Sequence, residues 1–142
     1  MRVLGLDVGN RRIGLALSDP GGFLASSLGA IERRGSDKDI RSLLALVNQR
    51  DVERVVVGLP KHLDGSLGEQ ALKVQAFAER LKEACPVPLE FWDERFSTVT
   101  AQERLREAGA KRPTRGRVDS AAAAFILQGY LDNLQREGAS HL

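Results

Sequence analysis

Three strand-like segments succeed one another at the start of this chain, after which the hydrophobic period lengthens from that of strands to that of helices. Arg2–Val8 is short, apolar and ends in a turn. Arg12–Ser18 comes after the brief Gly9-Asn10-Arg11 link, which predicts a hairpin. Asp19-Pro20-Gly21-Gly22 makes a second turn into a third strand, Phe23–Ile31. Tight turns between consecutive strands give an antiparallel meander, and the rest of the chain must pack onto it.

Beyond residue 35 helical and strand patterns alternate. Ser36 is placed to cap a helix with Asp37 and Asp39 in its first turn, where acids complement the helix dipole. Ile40, Leu43, Leu44 and Val47 then fall on one face. Arg54–Gly58 is a β-branched run of the kind found in central parallel strands. Ser66 and Glu69 have the spacing of a capping box for a helix to about Ala84, with Leu67, Ala71, Val74, Ala78 and Leu81 as its stripe. Val87–Trp92 is a fifth strand. Ser97 or Thr98 opens a third helix closed by Gly109, and Val118–Arg136 forms the last, with small residues from Ala121 to Ala124 that permit close approach to a sheet. This order predicts an α/β fold: a five-stranded mixed sheet in the order 3-2-1-4-5, with strands one, four and five parallel and helices on both faces. The 142 residues suit one domain over 1–142, with a tail frayed from about residue 137.

Cys85 is the single cysteine and reads as a helix-end residue; an internal disulfide and a multi-cysteine zinc site are excluded. No apolar run approaches a membrane span, and Asp7 interrupts any signal-peptide core, so the expected location is the cytoplasm. The net charge of +2 hides an uneven distribution. Lys111, Arg112, Arg115 and Arg117 crowd a loop without an acid, and basic pairs stand at Arg11-Arg12 and Arg33-Arg34. Such a run suits phosphate contacts, and its lack of aromatics argues against stacking on single-stranded bases.

In open α/β sheets ligands bind beyond the carboxyl ends of the parallel strands. Strand one ends at Asp7 and strand five at Asp93-Glu94, while Asp119 heads the last helix. An acid that terminates a buried strand needs a partner, and clustered carboxylates need a cation. Oxygen donors without His or Cys favour Mg²⁺ or Mn²⁺ over zinc, and a pair of such ions serves phosphodiester hydrolysis. Strand alternation points Asp93 and Glu94 in opposite directions, so one of the two faces the site while the other pairs with Arg95 or stays solvated. Arg12 and Arg95 suit either phosphate contacts or structural ion pairs. His62 reads as a surface residue, and Phe91 and Trp92 as core.

The stretch from Gly5 to Asp19 resembles the opening motif of the YqgF family, described as Holliday-junction-resolvase-like proteins and as nucleases that mature pre-16S ribosomal RNA. Val57-Gly58-Leu59-Pro60 with Asp64-Gly65-Ser66, Asp93–Thr98, and Asp119–Ala122 with Ile126-Leu127 match it in order. The resemblance implies an RNase H-like fold and a catalytic triad of metal-binding acids, Asp7, Glu94 and Asp119. It also implies a nucleic acid partner, either a ribosomal RNA precursor or branched DNA. Junction cleavage needs a homodimer, whereas a monomer suffices for RNA trimming. Two other classes compete. A non-catalytic nucleic-acid-binding factor in transcription or ribosome assembly would not need three acids. An actin-like or sugar-kinase ATPase would need a second domain.

Overall fold

In the computed structural model the chain is described over residues 1–62, 64–94 and 115–140, with 115–120 and 138–140 described by backbone course alone. The elements are β1 (Val3–Val8), β2 (Arg12–Ser18), β3 (Ala25–Glu32), α1 (Ser36–Gln49), β4 (Arg54–Leu59), α2 (Glu69–Ala84), β5 (Leu89–Asp93) and α3 (Arg115–Ser140). They form the expected sheet, in the order β3-β2-β1-β4-β5. β1 is antiparallel to β2 and parallel to β4, and β4 is parallel to β5. The expected third helix over 97–109, together with Arg95, Lys111 and Arg112, lies outside the described residues.

Alternation along the central strands divides the core into two layers. Leu4, Leu6, Val55 and Val57 point to the side covered by α1 and α2, where they pack with Leu43, Val47, Val74 and Leu81. Val3, Ala16 and Val56 point the other way and meet Ala123, Ile126, Leu127 and Leu131 of α3. This second layer is thin because one of its strand positions is Gly5. A Cβ there would stand 2.8 Å from the Leu127 Cβ and 3.3 Å from the Ala123 carbonyl oxygen. The small residues of α3 and Gly5 together let helix and sheet backbones come close.

The direction of α3 is set by polar contacts along its second half. Gln128 accepts from the Ala25 N–H and donates to the Phe23 carbonyl, each over 2.9 Å, and Gln135 donates to the Gly22 carbonyl at 3.4 Å. Those partners lie at the amino end of β1, so the start of α3 runs toward its carboxyl end.

A second pin holds the β1–β2 turn. Arg33 donates from Nε to Asp39 Oδ2 at 2.7 Å and from Nη1 to the Gly9 carbonyl at 2.9 Å, with its guanidinium 4.8 Å above the Phe77 ring. The Asp39 carboxylate is almost wholly buried and also accepts the Arg34 N–H. It is therefore a structural partner and not merely a dipole acid.

Several local expectations differ from what the structure shows. The N-cap of α1 is Gly35, at φ 108°, and Ser36 is the first helical residue. The N-cap of α2 is Gly68, with no side-chain cap. Ser66 instead donates its hydroxyl to Asp64 Oδ1 at 2.6 Å, because an Asp two residues upstream offers a closer acceptor than the helix does donors. Leu67 pairs with Lys61 and is exposed, outside the buried stripe. β3 starts at Ala25, leaving Phe23 and Leu24 exposed. The last helix begins three residues early and runs on to Ser140, so Arg115 and Arg117 belong to its first turns and not to a loop. Phe91 is exposed at the sheet edge, while Trp92 packs edge-on against Tyr130 with ring centroids 6.0 Å apart. Cys85 ends α2 as expected. No described helix is long and apolar enough to cross a membrane.

Candidate active site

The alternation that buries Val3 and Gly5 under α3 continues to Asp7, which therefore faces the same side. On β4 the same parity runs from Val56 to Gly58, and on β5 from Trp92 to Glu94. The Glu94 N–H donates to the Leu59 carbonyl at 3.1 Å, extending the parallel ladder by one residue and holding the side chain at the rim. Asp7 and Glu94 thus arrive on one face at one end of the sheet. Their carboxyl groups share a hydrogen bond.

Glycines clear the space around them. Gly14 is the β2 partner of Asp7, so no side chain stands across the strand pair at that position. Gly58 lies beneath Glu94: a Cβ there would be 2.7 Å from Glu94 Oε1, 3.0 Å from its Cγ and 2.5 Å from Ile126 Cδ1. In the sequence Gly58 stood at the end of a strand and within the Val57–Pro60 block of the family resemblance, with no role assigned to it. Its positioning of Glu94 had no local signal, because the atoms that need the space come from two distant segments.

Burial is the main reason the Glu94 carboxyl is pushed up to about 8. The negative charge of Asp7 comes next, then the hydrogen bond with Asp7, then the charge of Asp93. In the metal-free protein at neutral pH, Glu94 therefore holds a proton that it donates to Asp7. Asp93, the last residue of β5, has the opposite parity. Its carboxylate is mostly buried and lies 3.9 Å from Lys61 Nζ, and its charge also acts on Glu94.

Asp119 lies on α3 one turn before Ala123. Gly5 is approached by the Leu127 Cβ and the Ala123 carbonyl, so Asp119 lies on the part of α3 that continues past Gly5 toward the carboxyl end of β1. Nothing is described of its side chain, nor of those of Arg115 and Arg117. Among the described residues, no three His, Cys, Asp or Glu side chains form a metal-holding group. Arg12 begins β2 at this same end. His62 is exposed, as expected.

The model of one family, RuvX, described as Holliday junction resolvase, matches residues 1–133. The chain belongs to the RuvX family. It is 49% identical over 139 residues to a protein of Moorella thermoacetica, covering 97% of this chain and 99% of that one. It is 46% identical over 137 residues to a protein of Clostridium kluyveri, covering 96% and 100%. Both relatives carry the name "Putative pre-16S rRNA nuclease". Among solved structures, RuvC of T. thermophilus in complex with a Holliday junction superimposes with a TM-score of 0.61 at 18% identity, covering 95% of this chain and 96% of that one. The yeast mitochondrial Holliday junction resolvase gives 0.60 at 11% identity, covering 91% and 77%. The fold is thus that of the RNase H-like resolvases. By family this chain is a nuclease.

The Asp7–Glu94 pair makes the pH dependence of stability testable. The unfolded chain loses the Glu94 proton near pH 4.5, whereas the folded chain keeps it to about 8. That contribution to stability is complete below the lower value and is lost as pH rises through the upper one. In EDTA, the melting temperature of a Glu94→Gln variant should therefore gain on the parent as pH rises from 5 to 9; a constant difference would show that no proton is held there. Gly58→Ala should cost about 1–3 kcal/mol in urea unfolding through overpacking. By moving Glu94 it should also slow cleavage about 100-fold. Parent-like cleavage in a folded Gly58→Ala protein would mean that Glu94 needs no such placement.

Proposed function

We propose that this chain is a divalent-metal-dependent nuclease that trims the ends of 16S ribosomal RNA precursors, with Asp7, Glu94 and Asp119 as catalytic acids and metal ligands. The observation that carries this reading is the Asp7–Glu94 pair, two carboxyls in contact at the carboxyl end of parallel strands. A shared proton relieves their repulsion in the metal-free protein, and a cation would do the same while leaving both ionised. An all-oxygen donor set fits Mg²⁺ or Mn²⁺, and position 119 supplies a third carboxylate from the opposite layer. Two such ions, when bound, supply activation of water and stabilisation of the leaving oxygen in phosphodiester hydrolysis.

The chain's own residues do the remaining work. Glu94 gives up its proton as the acids take a cation, so metal affinity rises with pH through about 8. The bare backbone at Gly14, the β2 partner of Asp7, leaves room for a phosphate to approach Asp7. Arg12 opens β2, Arg95 is next to Glu94 in the chain, and Lys111, Arg112, Arg115 and Arg117 lead into Asp119. Their cations would meet backbone phosphates on either side of the scissile bond.

The RNA reading is favoured because the relatives named for pre-16S rRNA share nearly half their residues with this chain over nearly their full length. Cleavage of a four-way DNA junction is the second reading, favoured by the description of the family. It would require two active sites and hence a symmetric dimer.

Cleavage of a 16S precursor fragment and of a four-way junction, assayed side by side with Mn²⁺ or Mg²⁺, separates these readings. The RNA should be cut, and Asp7→Asn should abolish the cut while leaving the fold intact. Junction cleavage alone would replace the substrate; undiminished cleavage by Asp7→Asn would remove these acids from catalysis. Neutralising Arg112, Arg115 and Arg117 together should weaken binding and lower its salt dependence by about 0.7–0.9 per lost phosphate contact. Equal salt slopes in parent and triple variant would take this segment out of the interface.

A further inference from the structure

The basic pairs Arg11-Arg12 and Arg33-Arg34 are far apart in sequence, yet the fold joins them. The Arg33 N–H donates to the Arg11 carbonyl at 2.8 Å, and Arg12 is the register partner of Glu32 across the β2–β3 pair. Both segments therefore lie at the carboxyl end of the sheet, on the β2–β3 flank of Asp7. The start of α1 adds Lys38, which shares with Arg34 a surface hollow of about 400 Å³.

Arg33 is not available to a ligand. It is committed to Asp39, to the Gly9 carbonyl and to the face of Phe77. Its effect is to fix the backbones on either side of it. Arg34 is further held through its N–H on Asp39 Oδ1. Three cations then stand exposed on a rigid frame: Arg11, Arg34 and Lys38. None of these side chains makes an ion pair or hydrogen bond among the described residues. The neighbouring acids do not cancel them. Asp39 belongs to Arg33, Asp37 pairs with Arg80, and Glu32 lines the hollow without closing an ion pair on either cation.

We propose that Arg11, Arg34 and Lys38 form a phosphate-binding ledge that carries the nucleic acid backbone away from the active site across the β1–β2 turn and the start of α1. The ledge rests on the nuclease reading and adds a second contact surface, on the flank opposite β5. Asp7 and Arg11 are separated by a strand end and a turn, about 10 Å. The ledge therefore meets the backbone within a few nucleotides of the scissile bond. It offers charge without aromatic platforms or base-reading side chains, so it holds RNA by its backbone and is indifferent to sequence.

The test is binding of a labelled 16S rRNA precursor fragment to the full chain in EDTA, across a salt series. Arg11→Gln, Arg34→Gln and Lys38→Gln combined should weaken binding at least tenfold at low salt. The slope of log affinity against log salt should fall by about two to three, at 0.7–0.9 per contact. Arg11→Lys with Arg34→Lys, which keeps the charge, should hold the parent slope. Arg50→Gln, at the other end of α1, should also hold it. A parent-like slope in the triple variant overturns the ledge, and so does an equal fall in the Arg50 variant, which would mark a general charge effect. Because binding is read without metal, failure of the parent to cleave the fragment would count against the nuclease reading and leave this result to stand or fall alone.

Discussion

Two carboxyl groups held in contact at the rim of a buried sheet would repel one another by about 4 kcal/mol if both were charged, at a separation near 4 Å and an effective dielectric near 20. That is a large fraction of the 5–15 kcal/mol or so by which a protein of this kind is stable. The metal-free molecule meets the constraint with a proton on Glu94, raised to about 8 chiefly by burial and then by Asp7. The surrounding architecture keeps the groups together nonetheless. β1 and β5 present them on one face, β4 supplies a glycine beneath one of them, and α3 closes the layer. A purely structural sheet end would gain from an apolar side chain at either acid.

The sheet was legible because its signals were both local and topological. β-branched and apolar runs of strand length, separated by turn chemistry, leave few arrangements once crossovers must be right-handed. Asp7 was legible for a related reason: an acid that ends an apolar strand is conspicuous. Alternation gave Asp93 and Glu94 opposite parity. It could not say where Asp93 would go, because its partner Lys61 comes from the loop after another strand.

The misread positions share a cause, namely competition that becomes visible only in three dimensions. Ser66 had the spacing of a cap, but Asp64 took its hydroxyl. Asp39 had the position of a dipole acid, but Arg33 reached it from the preceding link. Arg115-Gly116-Arg117 had the composition of a loop, yet the helix extends back through it, glycine included. Gly58 is the clearest case. Its contribution is an absence of atoms, and a sequence carries no mark of which absence will matter until Glu94 and Ile126 converge on the same place.

The placement of α3 also has a bearing on how the molecule comes into being. The strands bearing Asp7 and Glu94 are synthesised first, and the helix that covers Val3, Ala16 and Val56 leaves the ribosome after all of them. Until it docks, one side of the sheet is bare and the acids have no roof. Docking of this helix is thus the step that covers the face on which Asp7 and Glu94 meet.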